Sequence, residues 1–287
     1  MKSLTSARFI LVLVRRFEGM PYEFDDAIVA IPETDGIYRT PIIGGWDIGV
    51  NANGGYLMAR AAHAMRMASG RRDPLTVTAH YLAPALAGDA SCVTEIVKSG
   101  KRISTVVATL RRDDRELMRL IGSFGEVQSE STAHYVTATP PDLPPIEECV
   151  ARRNQPTPIP MGIAQRVSLF IHPDDAGFSS ATPPGVGRMR GWFSFADDRP
   201  IDTLALLLAA DAFPPTWFNI FGSQGWVPTL EMTVHVRAVP APGPLRCSFT
   251  TRVVQGNCYE EDGEMWDSNG VCVAMSRQLA LAPLVAT

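Results

Sequence analysis

Most of the motifs that would point quickly to a function are missing from this 287-residue chain. Its five cysteines, Cys92, Cys149, Cys247, Cys258 and Cys272, are scattered, odd in number and form no Cys-x-x-Cys pair. That pattern argues against structural zinc and fits a reducing, cytoplasmic compartment. His63, His80, His134, His172 and His235 lie too far apart in sequence to suggest metal ligation. No Gly-x-Ser-x-Gly elbow occurs, which disfavours a serine-hydrolase mechanism. No segment qualifies as a membrane span, which needs about 20 apolar residues. The apolar stretch Phe9–Val14 is six residues long and is cut off by Arg15-Arg16. A secretory core needs roughly 7–15. Residues 1–20 are therefore read as an N-terminal extension. A strong charge of either sign is missing too: the net charge of −4 gives no broad attraction to nucleic acid or anionic membrane. An anionic ligand must be held by local arginines.

What is present is a repeat. Thr76–Leu82 and Met232–Arg237 are both strand-like, and His80 and His235 within them are 155 residues apart. Gly88 and Gly243 each follow their histidine by eight residues, and Gly100 and Gly256 follow in turn. Two copies are too few for a solenoid, so the spacing predicts a fused pseudo-dimer whose site lies where the halves meet.

Each half reads as two strands, a buried helix, then antiparallel strands. In the first half the strands are 24–31, 37–43, 75–82, 90–98, 103–111 and 116–124, with the alanine- and methionine-rich helix 56–68 after Asn53-Gly54-Gly55. In the second half they are 165–171, 188–196, 230–237, 245–254, 260–267 and 271–281. There the helix is the apolar run 201–213, ended by Pro214-Pro215. Between the halves, prolines crowd from Pro140 to Pro160, as in an extended linker. The expected organisation is α+β, with residues 1–20 as extension, 21–127 as first unit, 128–160 as linker and 161–287 as second unit.

Asp211 is the most conspicuous candidate. It follows Leu206-Leu207-Leu208-Ala209-Ala210, and an aspartate buried there would have a raised pKa. The bland alternative is a solvent-facing residue capping the Pro214-Pro215 turn, but a helix C-terminus disfavours a carboxylate. Thr229 opens a strand and, by alternation, shares a face with Glu231, Thr233 and His235. A β-branched residue starting a strand needs no function to explain it. Gln278 shares a face with Cys272, Ala274 and Ser276. A lone strand glutamine normally faces solvent, so the sequence by itself gives it little weight.

Asp211, Trp226-Val227-Pro228-Thr229-Leu230-Glu231 and Ser276-Arg277-Gln278-Leu279 resemble the second half of the type II acyl-CoA thioesterases. Asn53-Gly54-Gly55-Tyr56 and Thr78–Pro84 are similar to their first half. The resemblance covers roughly residues 22–126 and 162–282. It is strongest to the thioesterase-like proteins of actinobacteria. It implies a double hotdog, two antiparallel sheets each wrapped around an apolar helix. It also implies hydrolysis of an acyl-CoA by a water held between Asp211, Thr229 and Gln278, with no metal or bound cofactor, and further association of double hotdogs into a homo-oligomer. By repeat spacing Asp211 corresponds to His63, and Gln278 to Gly122 or Ser123, so one complete set per chain is expected. Gly54 and Gly55 either offer backbone N–H groups to the thioester oxyanion or let the helix approach its neighbours closely. The recurring His80 and His235 read as structural. Pro214–Gly225 and Trp226 are candidates for an acyl pocket, and Arg102, Arg237 and Arg252 for coenzyme A phosphates. Two rivals remain: a hotdog hydratase or dehydratase relying on His63 or His80, and a non-catalytic acyl-thioester or lipid-binding protein.

Overall fold

The computed structural model describes residues 22–127, 135–155, 157, 159–179, 182–223 and 225–283. The extension 1–20 and the first linker residues, 128–134, lie outside these. In the first half, β1 (Ile31–Thr34), β2 (Ile37–Arg39), β3 (Asp47–Ile48) and β4 (Asn51–Ala52) precede the helix Gly54–Ser69. After it come β5 (Asp73–Tyr81), β6 (Ser91–Ser99), β7 (Ser104–Arg112) and β8 (Arg115–Gly125). In the second half, β9 (Val150–Ala151), β10 (Val167–Ile171) and β11 (Arg188–Phe195) precede two short helices, Ala205–Ala209 and Trp217–Phe221. There follow β12 (Thr229–Val236), β13 (Leu245–Thr250), β14 (Val254–Gln255), β15 (Cys258–Trp266) and β16 (Cys272–Leu281).

All but β3 and β4 join one antiparallel sheet of 14 strands, in the order β1-β2-β6-β7-β8-β5-β12-β16-β15-β13-β11-β10-β9, with β14 on β15. Read outward from the β5–β12 junction, both halves follow the same chain order. Leaving β14 aside, first comes the strand after the helix, then the last, third and second strands that follow it, then two strands that precede it, β2-β1 and β11-β10, with β9 added at the edge of the second half. The junction pairs Thr78 with Thr233.

The long helix forms because the sequence caps both its ends and can bury its sides. Asn53 accepts the Tyr56 N–H at 2.9 Å, and Gly70 closes the helix at φ 63°. Ala59, Ala61, Ala62 and Ala64 are fully buried, so the sheet wraps closely around it.

Two expected elements differ. Residues 24–31 begin as a helix, Glu23–Ala27, instead of a strand. Phe24, Ala27 and Ile28 are buried at helical spacing, and Glu23, Asp25 and Asp26 favour a helix N-terminus. The long helix expected over 201–213 is regular only over Ala205–Ala209. Asp202 Oδ1 accepts the Ala205 N–H at 2.8 Å, and beyond Ala209 the turn tightens, with Asp211 N–H bonded to Leu208 O at 3.0 Å. That tightening ends the helix beside the start of the first-half helix. A Cβ on Gly55 would lie 2.7 Å from Leu207 O and 2.8 Å from Asp211 Cβ. The proline-rich segment is not extended chain throughout: Ile146–Glu148 and Arg152–Asn154 form single 3-10 turns, and Val150–Ala151 between them adds β9 to the sheet edge beside β10.

Candidate active site

The helix-end contact opens onto a cavity of about 970 Å³ between the halves. Asn53, Gly54 and Tyr81 line it from the first half, and Asp211, Thr229, Glu261 and Gln278 from the second.

Asp211 stands where one helix ends and another begins. Its Oδ2 accepts Asn53 Nδ2–H at 2.8 Å and the Gly55 N–H at 2.8 Å, and Asn53 Nδ2 also reaches the Asp211 carbonyl at 2.8 Å. Burial pushes the carboxyl up to about 6, and the nearby Glu261 charge adds to the rise. Hydrogen bonds from Gly55, Gly54 and Asn53 work in the opposite direction. The Asn53 and Gly55 bonds to the carboxylate both fall on Oδ2.

These bonds bear on Gly54 and Gly55. The Gly55 N–H serves Asp211, so it is not free for an oxyanion. Close approach explains both glycines: a Cβ on Gly54 would meet Tyr81 Cε1 at 2.9 Å, and one on Gly55 would meet backbone.

Thr229 does not sit on the face that alternation assigns it. A bulge between Thr229 and Glu231 sets Thr229 opposite buried Ala280 and Glu231 opposite exposed Leu279. The extra residue re-aims the threonine into the cavity. Its hydroxyl donates to Gln278 Oε1 at 2.7 Å. Gln278 is only 7% exposed, and it points inward while Arg277 and Leu279 point out. Its Nε2 donates to Glu261 Oε1 at 2.6 Å.

Glu261 is a site residue that the sequence does not single out. It lies opposite Gln278 in the β15–β16 ladder, and Oε2 accepts the Thr216 N–H at 2.7 Å and the Thr216 hydroxyl at 2.6 Å. Burial is the main cause of its raised pKa. A signal is nevertheless present: Tyr259, Glu261 and Met265 alternate with Glu260, Asp262 and Glu264, which places Glu261 on the inner face. Tyr81 is the other addition. Its buried hydroxyl has no hydrogen-bond partner among the described residues, and burial and Asp211 raise its pKa well above that of a free tyrosine.

The opposite ends of the two helices meet differently. There Asp73, after the Gly54–Ser69 helix, accepts the Thr203 hydroxyl at 2.9 Å and the Val127 N–H at 3.0 Å. Arg72 neutralises it at 2.7 Å. Gly122 is closed in by Phe124 and Met65, so nothing there corresponds to Gln278.

Several candidates lie elsewhere. His80 and His235 are exposed on the outer face of the sheet, and His63 Nδ1 is engaged by Ile28 O at 2.8 Å. Arg102 and Arg237 are exposed away from the cavity wall, and Arg252 pairs with Asp262 at 2.8 Å. Pro214, Pro215, Phe218 and Trp226 do line the cavity. Trp46 is core, stacked on Tyr56.

Two halves of one continuous sheet, each wrapped around helix from its own half, define a double hotdog, with a carboxylate-bearing cavity at the seam. The chain belongs to the acyl-CoA thioesterase family, with residues 42–125 matching its N-terminal domain and residues 140–282 its C-terminal domain. An uncharacterized protein of Mycobacterium tuberculosis is 28% identical, over 83% of this chain and 88% of the relative. The crystal structure of a candidate thioesterase II from Thermobifida fusca YX superposes with a TM-score of 0.82 at 29% identity, over 91% of this chain and 98% of the other. A hot dog fold protein of unknown function from Alicyclobacillus acidocaldarius, 20% identical, shares the fold at a TM-score of 0.79, over 92% and 100% of the two chains.

Proposed function

We propose that this protein hydrolyses an acyl-CoA to a free carboxylic acid and coenzyme A, by direct attack of a water held by Asp211, Thr229 and Gln278. The observation that carries the reading is the placement of all three at the wall of one largely apolar cavity, with a carboxylate whose pKa is raised to about 6. At neutral pH that carboxylate is ionised yet basic enough to take a proton.

The hydrogen-bond directions supply the rest. Thr229 donates to Gln278, which leaves its oxygen free to accept from water. Gln278 spends one Nε2 hydrogen on Glu261 and keeps the other for the water oxygen. A water that donates to Asp211 Oδ1 and Thr229 Oγ1 and accepts from Gln278 has a lone pair left for the thioester carbon. As the C–O bond forms, the water proton passes to Asp211. The carbonyl oxygen becomes an oxyanion, for which the unpartnered Tyr81 hydroxyl is the free donor beside Asp211. The C–S bond then breaks, and the proton leaves with the thiolate as coenzyme A thiol. Water and the side chains suffice, so no cofactor enters the scheme.

The hydratase or dehydratase reading lacks its histidine, because no described histidine lines the cavity. A thiol-release assay over a panel of acyl-CoAs tests the proposal. Hydrolysis that is lost in Asp211→Asn supports it. Tight acyl-CoA binding with no thiol released from any member of the panel rejects it in favour of a binding protein.

A further inference from the structure

The cavity carries one cation among its described lining residues, and nothing in the hydrolysis just outlined uses it. Arg152 follows β9, at the edge of the second-half sheet, whereas Gln278 lies on β16. Five strand spacings separate those two strands, about 24 Å along the sheet and less across its concave side. Beyond Glu261 on β15 the wall between them is apolar and aromatic, with Phe249 on β13 and Val167 and Leu169 on β10. The guanidinium lies 5.4 Å from the Phe178 ring centre, and Phe178 in turn stacks with Phe218.

Nothing in the described chain satisfies this charge. Among the described residues Arg152 has no carboxylate partner, and its Nε is buried without a hydrogen bond. Desolvation alone acts on it, lowering its pKa. Arg188 and Arg190, by contrast, both pair with Asp175, and Arg199 with Asp25 and Asp202. Arg246, over the Trp192 ring, also has a buried Nε without a hydrogen bond, but it does not line the cavity. A partly desolvated guanidinium without a counter-ion is costly unless a ligand supplies one. The ring beneath it favours a cation but cannot fill its donor fork.

We infer that Arg152 forms an anion-accepting subsite at the end of the cavity away from Asp211, filled by a carboxylate or phosphate group of the substrate. An acyl thioester of coenzyme A can present such a group in two ways. A dicarboxylic acyl chain, entering with its thioester at Asp211, carries a carboxylate at its far end. The coenzyme itself carries phosphates. The inference rests on the thioesterase reading for its substrate and on the unpaired arginine for its chemistry.

The test measures kcat/KM for suberyl-CoA and octanoyl-CoA, and for the same two acyl groups on N-acetylcysteamine, in wild type, Arg152→Met and Arg152→Gln. A carboxylate subsite predicts that both variants lose roughly 10- to 100-fold on suberyl substrates of either carrier and little on octanoyl substrates. A phosphate subsite predicts an equal rise in KM for both coenzyme A substrates and no change on the cysteamine thioesters. No change anywhere, or an equal loss on all four substrates with a lowered Tm, overturns the inference. Calorimetric binding of suberate against octanoate separates it from the thioesterase reading. Arg152-dependent binding of suberate in a protein that releases no thiol would remove the proposed hydrolysis and leave the carboxylate subsite standing.

Discussion

Thr78 Oγ1 and Thr233 Oγ1 lie 2.9 Å apart, and the two residues are 155 positions apart in the chain. That offset equals the spacing of the repeated histidines. Equivalent residues face each other across an antiparallel pair only where a two-fold axis passes between them, so this hydrogen bond marks the pseudo-dyad. The site does not obey that symmetry, since Asp211 takes bonds from Asn53 and Gly55 while His63, its counterpart by repeat spacing, is engaged by Ile28 O.

Asp211→Asn is expected to lower kcat by roughly 10²- to 10⁴-fold, because the water loses its base. The same change should stabilise the fold at neutral pH. In the unfolded chain an aspartate ionises near 3.9, whereas Asp211 in the folded chain titrates at about 6. Its contribution to stability is therefore full below the unfolded value and is lost as pH rises through the folded one. Removing the charge should gain on the order of 1–3 kcal/mol at pH 7 and little at pH 4. Denaturant titration at the two pH values checks this.

The pH profile of kcat/KM should fall on the acid side with an apparent pKa of about 6, as Asp211 takes up its proton. Glu261→Gln should move this limb to lower pH, since the Glu261 charge helps to raise Asp211. It should also lower kcat on the plateau, because the new amide no longer holds Gln278 Nε2 as a carboxylate does. A limb that stays in place would mean that another group sets it.

Tyr81→Phe is expected to reduce kcat roughly 10- to 100-fold with little change in KM, as for loss of an oxyanion donor. Stability should hold or rise slightly, because the buried hydroxyl has no partner to lose. A drop in Tm with unchanged kcat would assign Tyr81 to packing instead.

Gly55→Ala should destabilise the protein by about 1–3 kcal/mol. The new methyl would sit 2.7 Å from Leu207 O and 3.0 Å from Leu208 O, backbone atoms that cannot swing aside. Asp211 would be displaced with them, so Tm and kcat should fall together.

Much of the fold is legible in the sequence because periodicity and punctuation agree along most of the chain. The β5 to β8 ladder and the capped helix before it follow directly from alternation, Asn53 and Gly70. Asp211 stands out as a carboxylate in an apolar run. Thr229 is legible only through family resemblance, because alternation cannot register a bulge, and the bulge is what turns it inward. Gln278 carries little signal for a related reason: burial depends on which face the sheet closes over. Glu261 is hidden in the acidic run 260–262, and Arg152 in a segment whose composition suggests only a linker. The segment Glu23–Ala27 looks strand-like in so short a window, although its apolar residues follow helical spacing.

The contrast between Asp211 and Asp73 has a consequence for how such a chain can change. In a symmetric dimer of identical units, every substitution is made twice. An arginine placed beside one helix junction would then stand beside the other as well. Here the junction at Asp73 has Arg72, whereas Asp211 is bonded by Asn53 and Gly55. Covalent tandem duplication is what permits that inequality: one junction can be optimised for cohesion while the other retains the discomfort that makes it reactive.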